Sequence, residues 1–291
     1  MRARRGETPM RTQSSIALSP DGRTWVLINI ACDLPRQLAA TPELWPAARR
    51  ATPFCAIFLT DANVDHTAGL AELRQEPDPL VVVSTSIVKS LLAGERACER
   101  FARSPHTWIE ATPDGGDFAA AIGAATADLM EVRAIGVPGL LPGYAGRRRE
   151  TGAVVAYLFT ERGSGAKVLV APVFAALNER FLSVLAQADL ALLDGSFFDD
   201  DELTATQVMS KTARGLGHVP IGGPDGTLAR ISALTNRRVF VHVNNTNPIL
   251  DQRSAAYAAV TAAGCEVGFD GWRTELGQQY PASPAGSITH A

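Results

Sequence analysis

The chain has 291 residues, of which 46% are hydrophobic and 20% are charged, and a formal net charge of −3. This composition is typical of a folded globular protein, and without a basic excess we expect no general binding to nucleic acid. No apolar run approaches the ~18 to 20 residues that cross a bilayer, so we expect no membrane helix. The basic start, Met1–Arg5, is followed by polar residues instead of the apolar stretch of a signal peptide, which favours a cytoplasmic protein.

Short β-branched runs bounded by Gly, Pro, Asp or Asn predict strands, and longer stretches between them predict helices. The predicted strands are 15–18, 25–29, 55–60, 80–84, 154–159, 168–171, 190–193 and 239–243, and the predicted helices are 66–74, 118–129, 175–187, 226–234 and 254–263. The early strands lie close together and the later ones alternate with helices. This order predicts a mixed sheet, or a pair of sheets, covered by helices.

Two segments have an irregular composition. Residues 136–152 are rich in Gly and contain Arg147, Arg148 and Arg149, which predicts a mobile loop. It is either a solvated surface loop or a lid whose arginines meet an anionic substrate. Residues 278–291 predict a disordered tail, which leaves one domain over residues 1–277.

The segment from Asp61 to His66 carries the first candidate site. A predicted strand ends there, and Asp61, Asn63 and Asp65 alternate with small or apolar residues before His66. In an extended segment alternate side chains point the same way, so carboxylates, an amide and an imidazole could form a metal site. The alternative is a capped helix, in which Asp65 or Thr60 accepts helix N–H bonds.

Three later clusters also follow apolar runs. Asp194 ends one run, where an ionised carboxylate needs a partner or a cation, although a turn or cap is the alternative. His218 lies in a glycine-rich loop that matches no phosphate-loop spacing. His242 follows another strand, and Asn244, Asn245 and Asn247 crowd the turn behind it. A lone histidine at a strand end is usually a satisfied core or turn residue, but this density of amides favours a site more than is usual.

Together these clusters resemble the metallo-β-lactamase superfamily, and within it the coenzyme PQQ biosynthesis protein B family. The matching motifs are Arg11-Thr-Gln-Ser-Ser15, Asp61-x-Asn63-x-Asp65-His66, Asp194-Gly195, Gly217-His218, His242-Val-Asn-Asn-Thr-Asn-Pro-Ile-Leu250, Phe269-Asp270-Gly271 and Glu275-Leu276. The resemblance spans Arg11–Leu276 and implies an α/β fold, the metallo-β-lactamase-like αββα sandwich. Relatives begin with a further strand and a cysteine cluster before the Arg11 motif, so we expect this chain to lack that segment.

The sequence departs from the superfamily at three positions of the usual metal site. Asp61 and Asn63 replace the two leading histidines, and Ala171 stands where hydrolases of this fold place a bridging Asp. A dinuclear zinc centre is therefore expected to be incomplete. Asp65, His66 and His242 remain, and this set matches the two histidines and one carboxylate that hold non-haem Fe(II).

The resemblance implies an iron- and O₂-dependent hydroxylase in PQQ biosynthesis, which acts on the tyrosine ring of a peptide-derived precursor. Fe(II) is the expected metal, with Zn(II) as the alternative and O₂ as co-substrate. The expected metal ligands are Asp65, His66, His242 and Asp61, the last either as a direct ligand or behind one. His218 would move protons and Asp194 would orient a ligand or contribute a carboxylate. The expected substrate-binding residues are Asn244, Asn245, Asn247 and Ser14.

Three alternatives remain open at this point. The first is a metal-dependent hydrolase of the same superfamily. The second is a carrier of PQQ or its precursor toward the periplasm, which would need the pocket but not the metal ligands. The third is a degraded superfamily member with only structural duties. The expected partner is a tyrosine-containing peptide or a PQQ precursor, and a homodimer is compatible with the resemblance.

Overall fold

The computed structural model describes residue 5 and residues 10–49, 51–75 and 79–276, and its strands form two sheets. The first sheet contains, in spatial order, β1 (Ile16–Leu18), β2 (Trp25–Ile28), β3 (Phe54–Phe58), β4 (Val81–Ser84) and β5 (Thr107–Glu110). The edge strand β1 is antiparallel to β2, and the others are parallel. The carboxyl ends of β2 to β5 therefore lie at the same edge of the sheet.

The second sheet contains, in spatial order, β11 (Cys265–Val267), β10 (Arg237–Val241), β9 (Leu190–Asp194), β8 (Lys167–Ala171), β7 (Val155–Glu161) and β6 (Met130–Gly136). Strands β6, β7 and β8 form an antiparallel meander. Strands β8 to β11 are parallel, so the carboxyl ends of β9 and β10 are neighbours.

The helices are short and most connect successive strands. They are α1 (Leu34–Ala39), α2 (Val64–Thr67), α3 (Ser86–Ala93), α4 (Arg96–Glu99), α5 (Ala119–Ile122), α6 (Ala124–Leu129), α7 (Glu179–Gln187), α8 (Glu202–Ala205), α9 (Ala213–Leu216), α10 (Thr227–Ile231) and α11 (Ala255–Ala262), with 3₁₀ turns at Pro42–Leu44, Ala68–Gln75, Arg100–Ala102, Gly143–Ala145 and Pro248–Leu250. Within the described part of the chain, no helix has the length and apolar character to span a membrane.

Alternating side chains of the strands build a layered core. Val26, Ile28 and Phe58 of the first sheet pack against Tyr157 and Leu192 of the second. The opposite faces of the two sheets pack against separate groups of helices. Both sheets are thus buried on two faces, which explains why their central strands are almost continuously apolar. The predicted αββα sandwich is confirmed.

The structure differs from the sequence prediction mainly at short or edge elements. Strands β5, β6 and β11 were not predicted. The predicted helix 118–129 is divided into two short helices by Gly123, whose backbone is extended. The predicted helix 66–74 begins earlier, at Val64, and continues as a 3₁₀ helix. The predicted tail, residues 278–291, lies outside the described residues, and the single domain over 1–277 stays a prediction.

Candidate metal centre

The candidate site lies where strands of both sheets end. The segment after β3 carries Asp65 and His66, Asp194 ends β9, and His242 follows the last residue of β10. The ends of β9 and β10 approach closely at Gly195, whose backbone N–H donates to the carbonyl of Val241. A Cβ at position 195 would lie 2.6 Å from that carbonyl oxygen, so only glycine allows this approach.

A hydrogen-bonded turn holds His66. The Asp61 Oδ1 atom accepts bonds from the backbone N–H and the side-chain amide of Asn63, both at 2.8 Å. Its Oδ2 atom lies 2.7 Å from His66 Nδ1 and accepts a bond from Thr60 Oγ1. Both oxygens of Asp61 are thus engaged, so the structure places Asp61 behind His66 and does not leave an oxygen free for direct metal ligation.

The other ring nitrogen of His66 carries the clearest sign of a ligand. His66 is fully buried, and its Nε2 atom has no hydrogen-bond partner. A buried polar atom without a partner is costly, whereas a metal ion would satisfy it. The capped-helix alternative fails here, because helix α2 has Asn63 at its N-cap position and no side chain caps it.

His242 brings the second sheet to the same point. Its backbone has a φ of 53°, in the left-handed region, which histidine adopts more readily than branched residues. Its Nε2 atom lies 3.1 Å from Asp65 Oδ2, and the His66 and His242 rings lie 4.7 Å apart. Ligand atoms from Asp65, His66 and His242 all lie within 4.8 Å of one another, so the structure brings this predicted trio together.

Behind His242 lies a buried polar network. The hydroxyl of Ser196 lies 2.8 Å from His242 Nδ1 and donates to Asp194 Oδ1 at 2.6 Å. The second oxygen of Asp194 lies 2.7 Å from His218 Nδ1. The His218 ring stacks near His242, with 5.7 Å between ring centroids. Asp194, His218 and His242 therefore form a second group of ligand-type atoms within 4.8 Å.

Neighbouring opposite charges shift the pKa values of Asp65, Asp194 and His242. Burial would raise the pKa of Asp65, but a hydrogen bond from His242 and the charges of His66 and His242 lower it overall. The pKa of Asp194 is lowered in the same way by His218 and His242, against the effect of burial. Burial would lower the pKa of His242, but the nearby carboxylates of Asp194 and Asp65 raise it to about 10. Without a metal, His242 is thus held as a cation between two carboxylates.

The predicted substrate residues divide into two groups. Asn244, Asn245 and Ser14 line a large groove that also contains Asp65 and His242. Asn247 does not line that groove, since it is buried, donates to the carbonyl of Gly195 and accepts from the N–H of Ile249. We therefore correct the prediction for Asn247, whose amide holds the turn after β10 in place.

The arginine-rich loop, residues 136–152, is tied to the site's surroundings. Tyr144 donates its hydroxyl to the carbonyl of Ala62 at 2.7 Å. Arg147 donates to the carbonyl of Leu216, close to the His218 loop, and Arg148 pairs with Glu150. Two of the three arginines that the lid alternative would turn toward a substrate thus have partners within the protein.

Two buried residues of the site were missed by sequence reasoning. Ser196 links Asp194 to His242, and its signal was a hydroxyl two residues after a strand-end aspartate. Glu202 is buried, accepts from the N–H of Phe198 and bonds to the hydroxyl of Thr246, which supports the turn behind His242. Its signal was the acidic run after Asp194, which the sequence alone presents as a solvated surface.

Comparison with known proteins identifies the class. Residues 24–243 match the family described as a beta-lactamase superfamily domain. A diphosphatase of the PhnP family shares the fold, with a TM-score of 0.61 and 15% identity over 90% of this chain and 83% of that chain. The chain is thus a metallo-β-lactamase-fold protein with a candidate metal centre.

Nearer relatives define the particular family. A coenzyme PQQ synthesis protein B from Azoarcus sp. (strain BH72) is 36% identical over 272 residues, which cover 90% of this chain and 86% of the relative. The zinc-bound PqqB from Methylobacterium extorquens has a TM-score of 0.87 and 31% identity, over 94% of this chain and 92% of that chain. The chain belongs to the coenzyme PQQ synthesis protein B family.

The donor set of this chain fits one divalent ion. Asp65 supplies a carboxylate oxygen, His242 a ring nitrogen beside it, and His66 a buried nitrogen without a partner. Two imidazoles and one carboxylate suit Fe(II), and they also bind Zn(II). The carboxylate behind His66 fixes which ring nitrogen is free, as is usual for histidine ligands of metals.

Proposed function

We propose that this chain acts in PQQ biosynthesis as a metal-dependent hydroxylase of a tyrosine ring in the peptide-derived precursor. The relatives named PQQ synthesis protein B support the pathway. The buried, unpartnered Nε2 atom of His66, facing His242 and Asp65, carries the proposal of a single metal.

In this proposal Asp65, His66 and His242 bind one Fe(II), and Asp61 orients His66 through its Nδ1 atom. Bound Fe(II) would supply the reduction of O₂, which redox-inert zinc cannot provide. Three protein ligands leave coordination positions open for O₂ and substrate. Asp65 is only half-buried and His242 lines the groove, so a substrate can reach this side of the centre.

His218 is proposed to move a proton near the hydroxyl of the substrate ring. Its Nδ1 atom is held by Asp194, so its Nε2 atom can accept a proton. Phe197 packs edge-on against the same ring, with 5.5 Å between centroids, which limits its rotation. Asn244, Asn245 and Ser14 line the groove and are proposed to bind polar groups of the peptide.

The test uses the full chain, purified without oxygen and loaded with Fe(II), with a tyrosine-containing dipeptide as substrate. An added two-electron reductant supplies the electrons that reduce the second oxygen atom of O₂ to water. We expect incorporation of one oxygen atom from labelled O₂ into the ring, measured by mass spectrometry. His218→Gln should lower the rate by about 10²–10⁴-fold, as expected for loss of an acid or base. His106→Asn, outside the groove, should retain it. Absence of peptide-dependent O₂ consumption in the loaded protein would contradict the proposal.

A hydrolase is the second candidate, because Asp194, His218 and His242 form another group of ligand-type atoms beside the first. A hydrolase with two metals needs ions about 3.5–4 Å apart. Asp194 and His218 are hydrogen-bonded to each other at 2.7 Å, and Ala171 supplies no bridging carboxylate. Two bound zinc ions per chain, with hydrolysis of a phosphodiester or lactone, would favour this candidate.

A further inference from the structure

The side chain of Ser196 lies between the proposed metal ligand His242 and the buried Asp194. We propose that Ser196 is a positioning residue, which fixes the proton arrangement of His242 and couples it to His218 through one carboxylate. The inference rests on the proposed function only in taking His242 as a metal ligand. Its direct support is the pair of short contacts, 2.8 Å to His242 Nδ1 and 2.6 Å to Asp194 Oδ1.

The donors and acceptors allow one consistent direction of hydrogen bonding. An ionised Asp194 can only accept, so the Ser196 hydroxyl donates to its Oδ1 atom. The oxygen of Ser196 is then the acceptor for the N–H at Nδ1 of His242. His218 donates from its Nδ1 atom to the other oxygen of Asp194. Both imidazoles therefore carry their fixed proton on Nδ1.

This arrangement presents both Nε2 atoms to the groove side. On His242 the Nε2 atom lies beside Asp65, where the metal is proposed to bind. On His218 it is the nitrogen that can accept a proton from a substrate. Asp194 is fully buried and Ser196 is 4% exposed, so the hydroxyl between Asp194 and His242 is held at the wall of the groove. A single serine thus determines which nitrogen of the metal ligand is available.

Two backbone hydrogen bonds hold Ser196 without its hydroxyl, which lies 3.3 Å from the carbonyl oxygen of His242. The Ser196 N–H donates to Asp194 Oδ1 at 3.0 Å, and the Ser196 carbonyl accepts from Asn244. Both bonds persist when serine becomes alanine. The substitution Ser196→Ala therefore removes one hydroxyl and leaves the turn after β9 intact.

The experiment measures the affinity of the full chain for Zn(II) alone, by competition with a chelating dye. Loss of a partner behind a metal-binding histidine typically weakens affinity 10- to 100-fold, and we expect that loss in Ser196→Ala. Ser196→Thr keeps the hydroxyl and should restore affinity. Ser84→Ala removes another buried, hydrogen-bonded serine that does not line the groove, and it should leave affinity unchanged.

A second readout separates positioning from a general loss of structure. Nitrogen NMR of the imidazoles in the Zn(II)-loaded protein should show the proton of His242 held on Nδ1, this pattern changed in Ser196→Ala, and the pattern restored in Ser196→Thr. If Ser196→Ala keeps both the affinity and the NMR pattern while His242→Ala loses affinity, the role of Ser196 is overturned and the ligand set stands. If His242→Ala also keeps affinity, the proposed metal centre is wrong.

The segment 11–15 crosses between the two sheets beside the site. Arg11 donates from Nη1 to the carbonyl of Gly268 after β11, at 2.5 Å. At the other end Ser15 accepts from the N–H of Ala31, after β2. Gly268 in turn bonds to Phe240 of β10, two residues before His242, which is about 7 Å of strand. The segment therefore borders the groove close to His242.

The guanidinium of Arg11 is half-buried and lines that groove. Its Nε atom is buried without a hydrogen-bond partner. The charge of Asp270 acts on Arg11, and the Oδ2 atom of Asp270 accepts from the backbone N–H of Thr12. Buried cations are normally paired with an anion. We infer that Arg11 binds a carboxylate of a ligand that enters the groove.

The test compares N-acetyl-L-tyrosine with its uncharged amide, N-acetyl-L-tyrosinamide, by equilibrium dialysis against the full chain. We expect the acid to bind about tenfold more tightly, since bonds to charged groups are the stronger ones. Arg11→Gln should abolish this preference and Arg11→Lys should retain part of it. Arg36→Gln changes another arginine of the groove and should leave the preference intact. An acid no better bound than the amide, or a preference unchanged in Arg11→Gln, would overturn the inference.

Discussion

Asp61 holds the ring of His66, a proposed metal ligand. Its carboxylate meets His66 Nδ1 at 2.7 Å, and both side chains are fully buried. Burial would raise the pKa of Asp61, but His66, Asn63 and Thr60 lower it overall, so the group is an ionised acceptor.

We therefore expect Asp61→Asn to weaken Zn(II) or Fe(II) binding about 10- to 100-fold, because the amide can turn its N–H₂ toward His66. Metal titration of the variant measures this. Asp117→Asn is the control, since Asp117 also accepts two backbone N–H bonds but lies outside the groove lining. Equal affinity in Asp61→Asn and the unchanged protein would contradict the role given to Asp61.

The charge on His242 makes metal binding depend on pH. Its pKa is raised to about 10 from an ordinary 6.5, so at neutral pH the metal-free ring carries a proton that binding must displace. We expect release of about one proton per ion and an affinity that increases with pH toward about 10. Calorimetry in two buffers of different ionisation enthalpy measures the release, and its absence would contradict this protonation state.

The raised pKa of His242 also makes the stability of the folded, metal-free protein depend on pH. A raised pKa stabilises the folded, metal-free protein fully below pH 6.5, and this contribution is lost as pH rises through about 10. The lowered pKa values of Asp65 and Asp194 act in the opposite direction. Their contribution is present above the ordinary aspartate value, 3.8, and is lost as pH falls through the folded pKa.

At the scale of elements, the 3₁₀ helix after His66 must approach the end of β2 closely. Ile30 donates to the carbonyl of His66 and accepts from the N–H of Gly69. A Cβ at position 69 would lie 2.2 Å from the carbonyl oxygen of Ala31 and from a side-chain carbon of Ile30. The backbone of Ala31 therefore leaves no room for a side chain at position 69.

Gly69→Ala should therefore lower the free energy of unfolding by about 1–3 kcal/mol, as overpacking does, and weaken metal binding because His66 moves with its helix. Denaturant unfolding and metal titration check both effects. Gly94→Ala, at the end of α3 with no atom within 4 Å of the added carbon, should change neither. If Gly69→Ala changed stability and metal affinity as little as Gly94→Ala does, the close contact at position 69 would be able to relax and this prediction would be wrong.

The elements also show why part of the fold could be predicted from sequence. The central strands are buried on both faces and appear in the sequence as apolar runs. Polar residues follow these strands at one edge of the sheets, and this pattern predicted a site that contains Asp65, His66 and His242. Strands β5, β6 and β11 depend on pairing with neighbours more than on their own residues. Ser196 was missed because its role depends on how β9 and β10 align, which no local pattern reveals.

At the scale of the whole molecule, Tyr157 connects the two sheets beneath the site. Its hydroxyl donates to the carbonyl of Leu59 at 3.0 Å, and its ring meets Phe58 edge-on at 5.0 Å. Tyr157→Phe leaves that buried carbonyl without this partner, so we expect a loss of about 1–3 kcal/mol in the free energy of unfolding. Tyr257→Phe in α11 is the control. A neutral Tyr157→Phe would show that the contact adds little.

The measurement that tests the central claim most directly is the metal content per chain after anaerobic purification and reconstitution with Fe(II). His242→Ala and the remote variant His106→Asn are measured alongside. We expect one iron per chain, lost in His242→Ala and retained in His106→Asn. Two metal ions per chain, or one ion retained in His242→Ala, would contradict the single centre formed by Asp65, His66 and His242.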